Sequence, residues 1–160
     1  MSFALAPERQ RQMTEILARY PTRRAACVPV LHLCQAEQGY ISEEAIAFVA
    51  QRLAMSPAQV MGVVTFHTRF HTKPVGRHRI SVCRTLSCAL RGGEEILGHC
   101  ERRLGIRAGE TTPDGKVTLR TVECLASCGT APMMQIDESY YENLTPAEVD
   151  RILDRLLSEA

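Results

Sequence analysis

The sequence predicts an α+β chain in two parts: a helical bundle over residues 1–74 and an α/β unit over 75–160. Three observations predict it. Apolar residues recur at helical spacing through the first half, while short alternating runs flank one helical run in the second. Between them lies a basic run, Phe66 to Arg79, interrupted by Pro74 and Gly76 as a connector would be.

Taken in order, Pro7 suits a first helical position, and Met13, Ile16, Leu17 and Tyr20 follow at helical spacing up to Pro21. A second helix runs to Gln38 with Gly39 as its stop, carrying Val28, Leu31 and Cys34 on one stripe. Pro29 would break a helix interior, so this helix is expected to begin near Arg24 or Ala25. Ser42 caps a third helix with Ala45, Ile46, Val49 and Leu53 on its apolar face. Ser56-Pro57-Ala58-Gln59 is a capping box that opens a fourth through Val60, Met61 and Val64. Nothing in this half looks catalytic.

In the second half Ile80 and Val82 mark a strand ending at Cys83. Ile96, Leu97, Cys100 and Leu104 mark a helix stopped by Gly105, and Pro113-Asp114-Gly115 is a turn before Val117, Leu119 and Val122. Strand, helix and strand at this spacing imply two parallel strands joined by a right-handed crossover. Residues 133–137 and 140–141 supply two more strands, and Thr145-Pro146-Ala147-Glu148 caps a last helix carrying Val149, Ile152, Leu153, Leu156 and Leu157. That order is the plan of a thioredoxin-like domain.

Composition narrows the function. Nineteen Lys plus Arg against eighteen Asp plus Glu give a net charge of +1, with no general attraction for nucleic acid or anionic lipid. No run reaches the ~18 apolar residues of a membrane span, and the start lacks the apolar stretch of a signal peptide, so the expected location is cytoplasmic. Seven cysteines in such a chain favour metal binding or buried thiols over disulfides. Cys83 and Cys88 enclose four residues, Cys124 and Cys128 enclose three, and 35 residues separate the pairs. Parallel strands would bring both pairs to one sheet edge, where α/β proteins place their sites. An all-sulfur site takes iron–sulfur or zinc, and the spacing alone leaves both open. No C-x-x-C is present, which argues against dithiol exchange. Cys27, Cys34 and Cys100 fall on apolar stripes and are expected in cores. His67 and His71, four apart, are a weaker metal candidate because Pro74 and Gly76 lie close by.

At this point the chain resembles a known family. Lys73-Pro74-Val75-Gly76, Val82-Cys83 through Cys88, Leu90-Arg91-Gly92, Leu104-Gly105-Ile106 and Gly109-Glu110-Thr111-Thr112 carry the resemblance. So do Pro113 to Lys116, Val122-Glu123-Cys124-Leu125, Cys128-Gly129, Ala131-Pro132, Tyr141 to Pro146 and, in the first half, Gln35 to Tyr40. These segments are similar to the thioredoxin-like 2Fe–2S subunit of NADH:quinone oxidoreductase, respiratory complex I. The resemblance implies a 2Fe–2S cluster on Cys83, Cys88, Cys124 and Cys128. Around such a cluster Arg84 and Arg91 are expected to add positive charge, and Leu86, Leu125 and Pro132 to limit water. The resemblance also implies a flavoprotein partner carrying FMN and NADH, assembly with further complex I subunits, and a place peripheral to the inner membrane without insertion. The chain would relay electrons without being catalytic alone; it has no G-x-G-x-x-G or P-loop of its own. The helical half and the basic run are candidate partner faces. Equivalent subunits of NAD-linked hydrogenases or formate dehydrogenases are the alternative, with a structural zinc adaptor the alternative of another class. The chain departs from the family in two places: Ala126 stands where glycine is usual, and Phe66-His67 where Phe-Tyr is usual.

Overall fold

The computed structural model describes residues 3–158, so the ends of the two expected segments, at residues 1 and 160, lie outside the described residues. The chain divides after Pro74 into two compact units.

The first unit is four helices, α1 (Pro7–Arg19), α2 (Cys27–Gln38), α3 (Glu43–Leu53) and α4 (Pro57–Phe66), with a 3-10 turn at Arg23–Ala26. That turn resolves the awkward proline: α2 begins at Cys27, so Pro29 lies in its first turn, where no intrahelical bond is lost. The buried stripe is Cys27, Val30, Leu31 and Cys34, with Val28 only half-buried. Gly39 closes α2 at φ 87, a left-handed conformation that favours glycine. Ser42 accepts from Ala45 N–H at 3.2 Å. Ser56 and Gln59 exchange both bonds of the capping box, at 3.2 and 3.0 Å. Val60 and Val64 reach the core, but Met61 lies on the outer side of α4. Helix α4 ends at Phe66, and His67 is extended, so His67 and His71 do not share a helix face. Cys27 and Cys34 are buried in the apolar core; burial pushes both thiols up, Cys34 to about 12, as expected of inert core cysteines.

The second unit is a four-stranded sheet of β1 (His78–Cys83), β2 (Val117–Val122), β3 (Met134–Ile136) and β4 (Ser139–Tyr141) in the order β2-β1-β3-β4. β1 and β2 are parallel, from His78 opposite Val117 to Cys83 opposite Val122. β3 is antiparallel to both β1 and β4. After β1 come a five-residue helix, α5 (Leu86–Leu90), and then α6 (Gly93–Leu104); α7 (Pro146–Ser158) closes the chain. Ile80, Val82, Leu119, Met134, Ile96, Cys100, Ile152 and Leu153 share one apolar core. Burying such side chains fully contributes about 1.5–3 kcal/mol each. Thr145 caps α7 by accepting from Glu148 N–H at 3.2 Å, while the Glu148 carboxylate turns to Arg151 instead of completing a capping box. Across the helix pair, Asp150 faces His99 at 2.9 Å and Arg103 at 2.8 Å. The His99 contact, with Arg103 beside it, holds the Asp150 carboxyl below its ordinary range. Among the described residues no helix is long and apolar enough to cross a membrane.

Candidate metal centre

Both cysteine pairs follow the parallel strands, at the same edge of the sheet. Cys83 is the last residue of β1, opposite Val122, and Cys124 comes two residues after β2 ends. Cys88 sits inside α5, a helix too short for periodicity to mark in the sequence. Two glycines make the turn out of α5 possible. Gly92 adopts φ 92, and a Cβ on Gly93 would lie 2.8 Å from the Cys88 carbonyl oxygen. Any side chain at Gly93 would therefore push the first cysteine pair apart.

The two pairs differ in their surroundings. Cys83 and Cys88 are 4% and 3% exposed and pack with Ala131, Met133 and the half-buried Leu125. Cys124 and Cys128 are exposed, with their sulfurs 3.8 Å apart. Metal–sulfur bonds of about 2.3 Å at tetrahedral angles put two thiolates about 3.8 Å apart, so this pair already has the edge length of one metal's coordination shell. Among the described residues no group of three or more His, Cys, Asp or Glu gathers as a site for a single ion. The four sulfurs stand as two pairs rather than at one point. Cys88 links them, contacting Cys83 directly and feeling the charge of Cys128.

Donors are already aimed at the sulfurs. Burial opposes ionisation of Cys83, but the Thr85 and Leu125 N–H groups, with the Cys88 thiol and Thr85 hydroxyl, outweigh it and lower the thiol. The Thr85 hydroxyl is buried without a full hydrogen bond; its best-placed neighbour is the Cys83 sulfur. Cys88 is raised by burial and by its partner Cys83, against the Met133 N–H. Ala126 N–H donates to Cys124 Sγ at 3.3 Å. Donors turned toward thiolates stabilise sulfur-bound negative charge, so the residues fit a thiolate-ligated cluster. Arg84, expected to add positive charge, is drawn to Glu123 at 3.8 Å. Leu86, expected to keep water out, is 70% exposed and does not cover the pair.

With the geometry in view, the comparisons decide the family. A family model described as thioredoxin-like [2Fe-2S] ferredoxin matches residues 13–157. The chain belongs to that family. It is 47% identical over 137 residues to an NADH-quinone oxidoreductase subunit of Rhizobium meliloti (strain 1021), covering 86% of this chain and 82% of that protein. It is 42% identical over 148 residues to an NADH-quinone oxidoreductase subunit of Rickettsia conorii, covering 91% and 89%. Among solved structures, an NAD+-reducing [NiFe]-hydrogenase in the air-oxidised state shares the fold at a TM-score of 0.73 and 18% identity. The likeness covers 83% of this chain but only 23% of that one, and it speaks for the fold alone. Membership in the family answers the choice that cysteine spacing left open: the group associated with this fold is iron and sulfide rather than zinc.

The departure at Ala126 also has a structural meaning. Its φ is 64, the left-handed region where a non-glycine residue costs roughly 1–2 kcal/mol. That conformation is what turns the Ala126 N–H onto Cys124. Replacing Ala126 with glycine removes the strain and adds some unfolded-state entropy, a net gain of about 0.5–1 kcal/mol. Thermal melts should show A126G a few degrees more stable than the native chain. A lower midpoint would mean that the loop does not need the left-handed turn.

Proposed function

We propose that this chain is the electron-transfer subunit of an NADH:quinone oxidoreductase and holds a 2Fe–2S cluster on Cys83, Cys88, Cys124 and Cys128. The observation that carries the reading is the pairing of the sulfurs. Two pairs at one sheet edge are what two irons require, and the reading is supported by the chain's membership in a family of thioredoxin-like [2Fe-2S] ferredoxins. The relatives' names favour the respiratory complex over a hydrogenase, whose likeness to this chain is confined to the fold.

When bound, such a group supplies a one-electron relay between a two-electron donor and a one-electron chain. The chain's own residues do the rest. Cys83 and Cys88 hold their half in an apolar cluster that limits water, and Thr85, Leu125 and Met133 present N–H groups to the sulfurs there. Cys124 and Cys128 hold the other half toward solvent, on the side open to a redox partner. We assign that partner as the flavoprotein subunit carrying FMN and NADH, within a complex whose other subunits attach it to the cytoplasmic face of the membrane. Leu86 and Leu90, 70% and 78% exposed one turn apart on α5, flank Cys88 and offer the partner apolar surface to bury. Phe66, 80% exposed at the end of α4, keeps the basic run as a second docking surface.

Two outcomes are expected. Anaerobically purified chain should contain two irons and two sulfides; C124S should lose or strongly alter the reduced-cluster EPR signal and C34S should retain it. One zinc without sulfide would establish the adaptor reading instead, and equal behaviour of the two variants would refute the ligand set. In co-purification from native membranes, the double variant L86D/L90D should recover at least tenfold less flavin while keeping its iron. Undiminished flavin recovery would move the docking surface elsewhere.

A further inference from the structure

The loop that carries Cys124 and Cys128 is held from one side by the segment that follows it in sequence. Tyr140 OH donates to the Leu125 carbonyl at 2.9 Å, Asn143 N–H to Thr130 O at 2.7 Å, and Leu144 N–H to Pro132 O at 3.0 Å. Two of these three links use backbone N–H groups, which nearly any residue could supply. The remaining contact is chemically distinct. Glu142 accepts from the Ser127 hydroxyl, and from the Thr130 hydroxyl at 2.6 Å; the two hydroxyl oxygens lie 2.7 Å apart. Ser127 is the residue immediately before Cys128.

This arrangement does two things. It ties the Ser127 and Thr130 hydroxyls, beside Cys128 in sequence, into a network that includes a carboxylate and the Ser127 carbonyl as acceptors. It also stands a negative charge beside the ligand loop. The hydrogen bonds from Ser127 and then Thr130 hold the Glu142 carboxyl below its ordinary range, so it is ionised at neutral pH. Glu123, which precedes Cys124, faces Arg84 at 3.8 Å, whereas the Ser127 and Thr130 hydroxyls on Glu142 are neutral and leave its charge intact. Hydrogen bonding to sulfur, net charge and exposure are the levers that set a cluster's potential, and Glu142 acts on the second.

We infer that Glu142 is a positioning residue of the second ligand loop, tying Ser127 and Thr130 together and lowering the reduction potential of the group bound there. The inference rests on the cluster reading above. Reduction adds negative charge, so a carboxylate close by opposes it and its removal favours it. Glu142 is exposed, so the effect is screened by salt.

The test is an EPR-monitored redox titration of the full-length chain with its cluster, comparing the native chain, E142Q and E142K at low salt and at 1 M salt. At low salt E142Q should raise the reduced-to-oxidised ratio at fixed potential about threefold, roughly 28 mV at 59 mV per tenfold for one electron. E142K should raise it about tenfold, roughly 59 mV by the same constant. Both shifts should shrink at 1 M salt, where the Debye length is about 3 Å. A role confined to loop stability would move the melting temperature and leave the midpoint in place. Unchanged midpoints in both variants, whatever their stability, overturn the inference, as does a shift in the opposite direction. Native chain without iron and sulfide overturns the cluster reading too, so the two failures are distinguishable.

Discussion

The parallel pairing of β1 with β2, in register from His78 opposite Val117 to Cys83 opposite Val122, is the constraint on which the cysteine edge depends. Two strands that run the same way end on the same side, so two cysteine pairs separated by 35 residues come to one edge without any local attraction between them. The pairing is secured from within the core. Ile80, Val82, Val117 and Leu119 are almost wholly buried; α6 packs on both strands, and α7, packed on α6, adds Ile152 and Leu153 to the same core. A slip of one residue in β1 would turn Ile80 and Val82 outward and carry Cys83, which alternates with them and faces the other side, away from its own cluster. β1 also pairs with β3 on its other side, and Cys83 N–H donates to Met133 O at 3.2 Å, so the first sulfur is pinned from both flanks.

The edge so formed is asymmetric. Its first pair is built into regular structure, one cysteine ending a strand and the other inside a short helix, and is buried. Its second pair is exposed, Cys124 in the turn after β2 with a left-handed residue at Ala126 and Cys128 opening a 3-10 turn (Cys128–Thr130), and it is held in shape by Tyr140, Glu142, Asn143 and Leu144. A charged group shared between two such environments is shielded from water at one end and stabilised by it at the other. Reduction potential responds to such exposure and to the donors on each sulfur, so for the cluster proposed above the exposed end is where small changes act most directly.

Much of this is legible in the residues because local signals agree with the tertiary plan. Ser42, Ser56 with Gln59, Gly39 and Gly105 each announce a helix end through short-range chemistry, and each end lies where expected. The β1–α6–β2 order is readable from periodicity, and with it the meeting of the cysteine pairs. What escapes depends on backbone or on distant partners. Helix α5 spans five residues and has no period to detect, so the spacing places Cys88 after β1 without assigning it to a helix. The left-handed turn at Ala126 is not announced by alanine itself; the one pointer to it is the glycine usual at that position in the resembled family. The clasp by Glu142 joins residues 12 and 15 apart through hydroxyls, and nothing in the spacing of Ser127, Thr130 and Glu142 distinguishes them from ordinary surface residues. Leu86 reads as an apolar cover and instead faces outward, because a helix this short buries only the face that carries Cys88.

The separation of the cores bears on why a metal group belongs at this edge at all. Small zinc modules use the metal in place of a hydrophobic core, and they unfold without it. Here the first unit has its own buried cluster from Leu5 to Phe70, and the second has one from Ile80 to Leu156. Neither includes a sulfur of the two pairs; Cys83 and Cys88 belong to a smaller cluster of their own with Ala131 and Met133. A structural metal would be redundant where the apolar surface is already buried. Exposed thiols, flanking leucines turned outward and donors aimed at sulfur instead equip the edge for a group that changes charge and must be approached. A structural ion uses donors on its thiolates as well, but it needs neither exposed ligands nor apolar surface turned to a partner, and an electron carrier uses both.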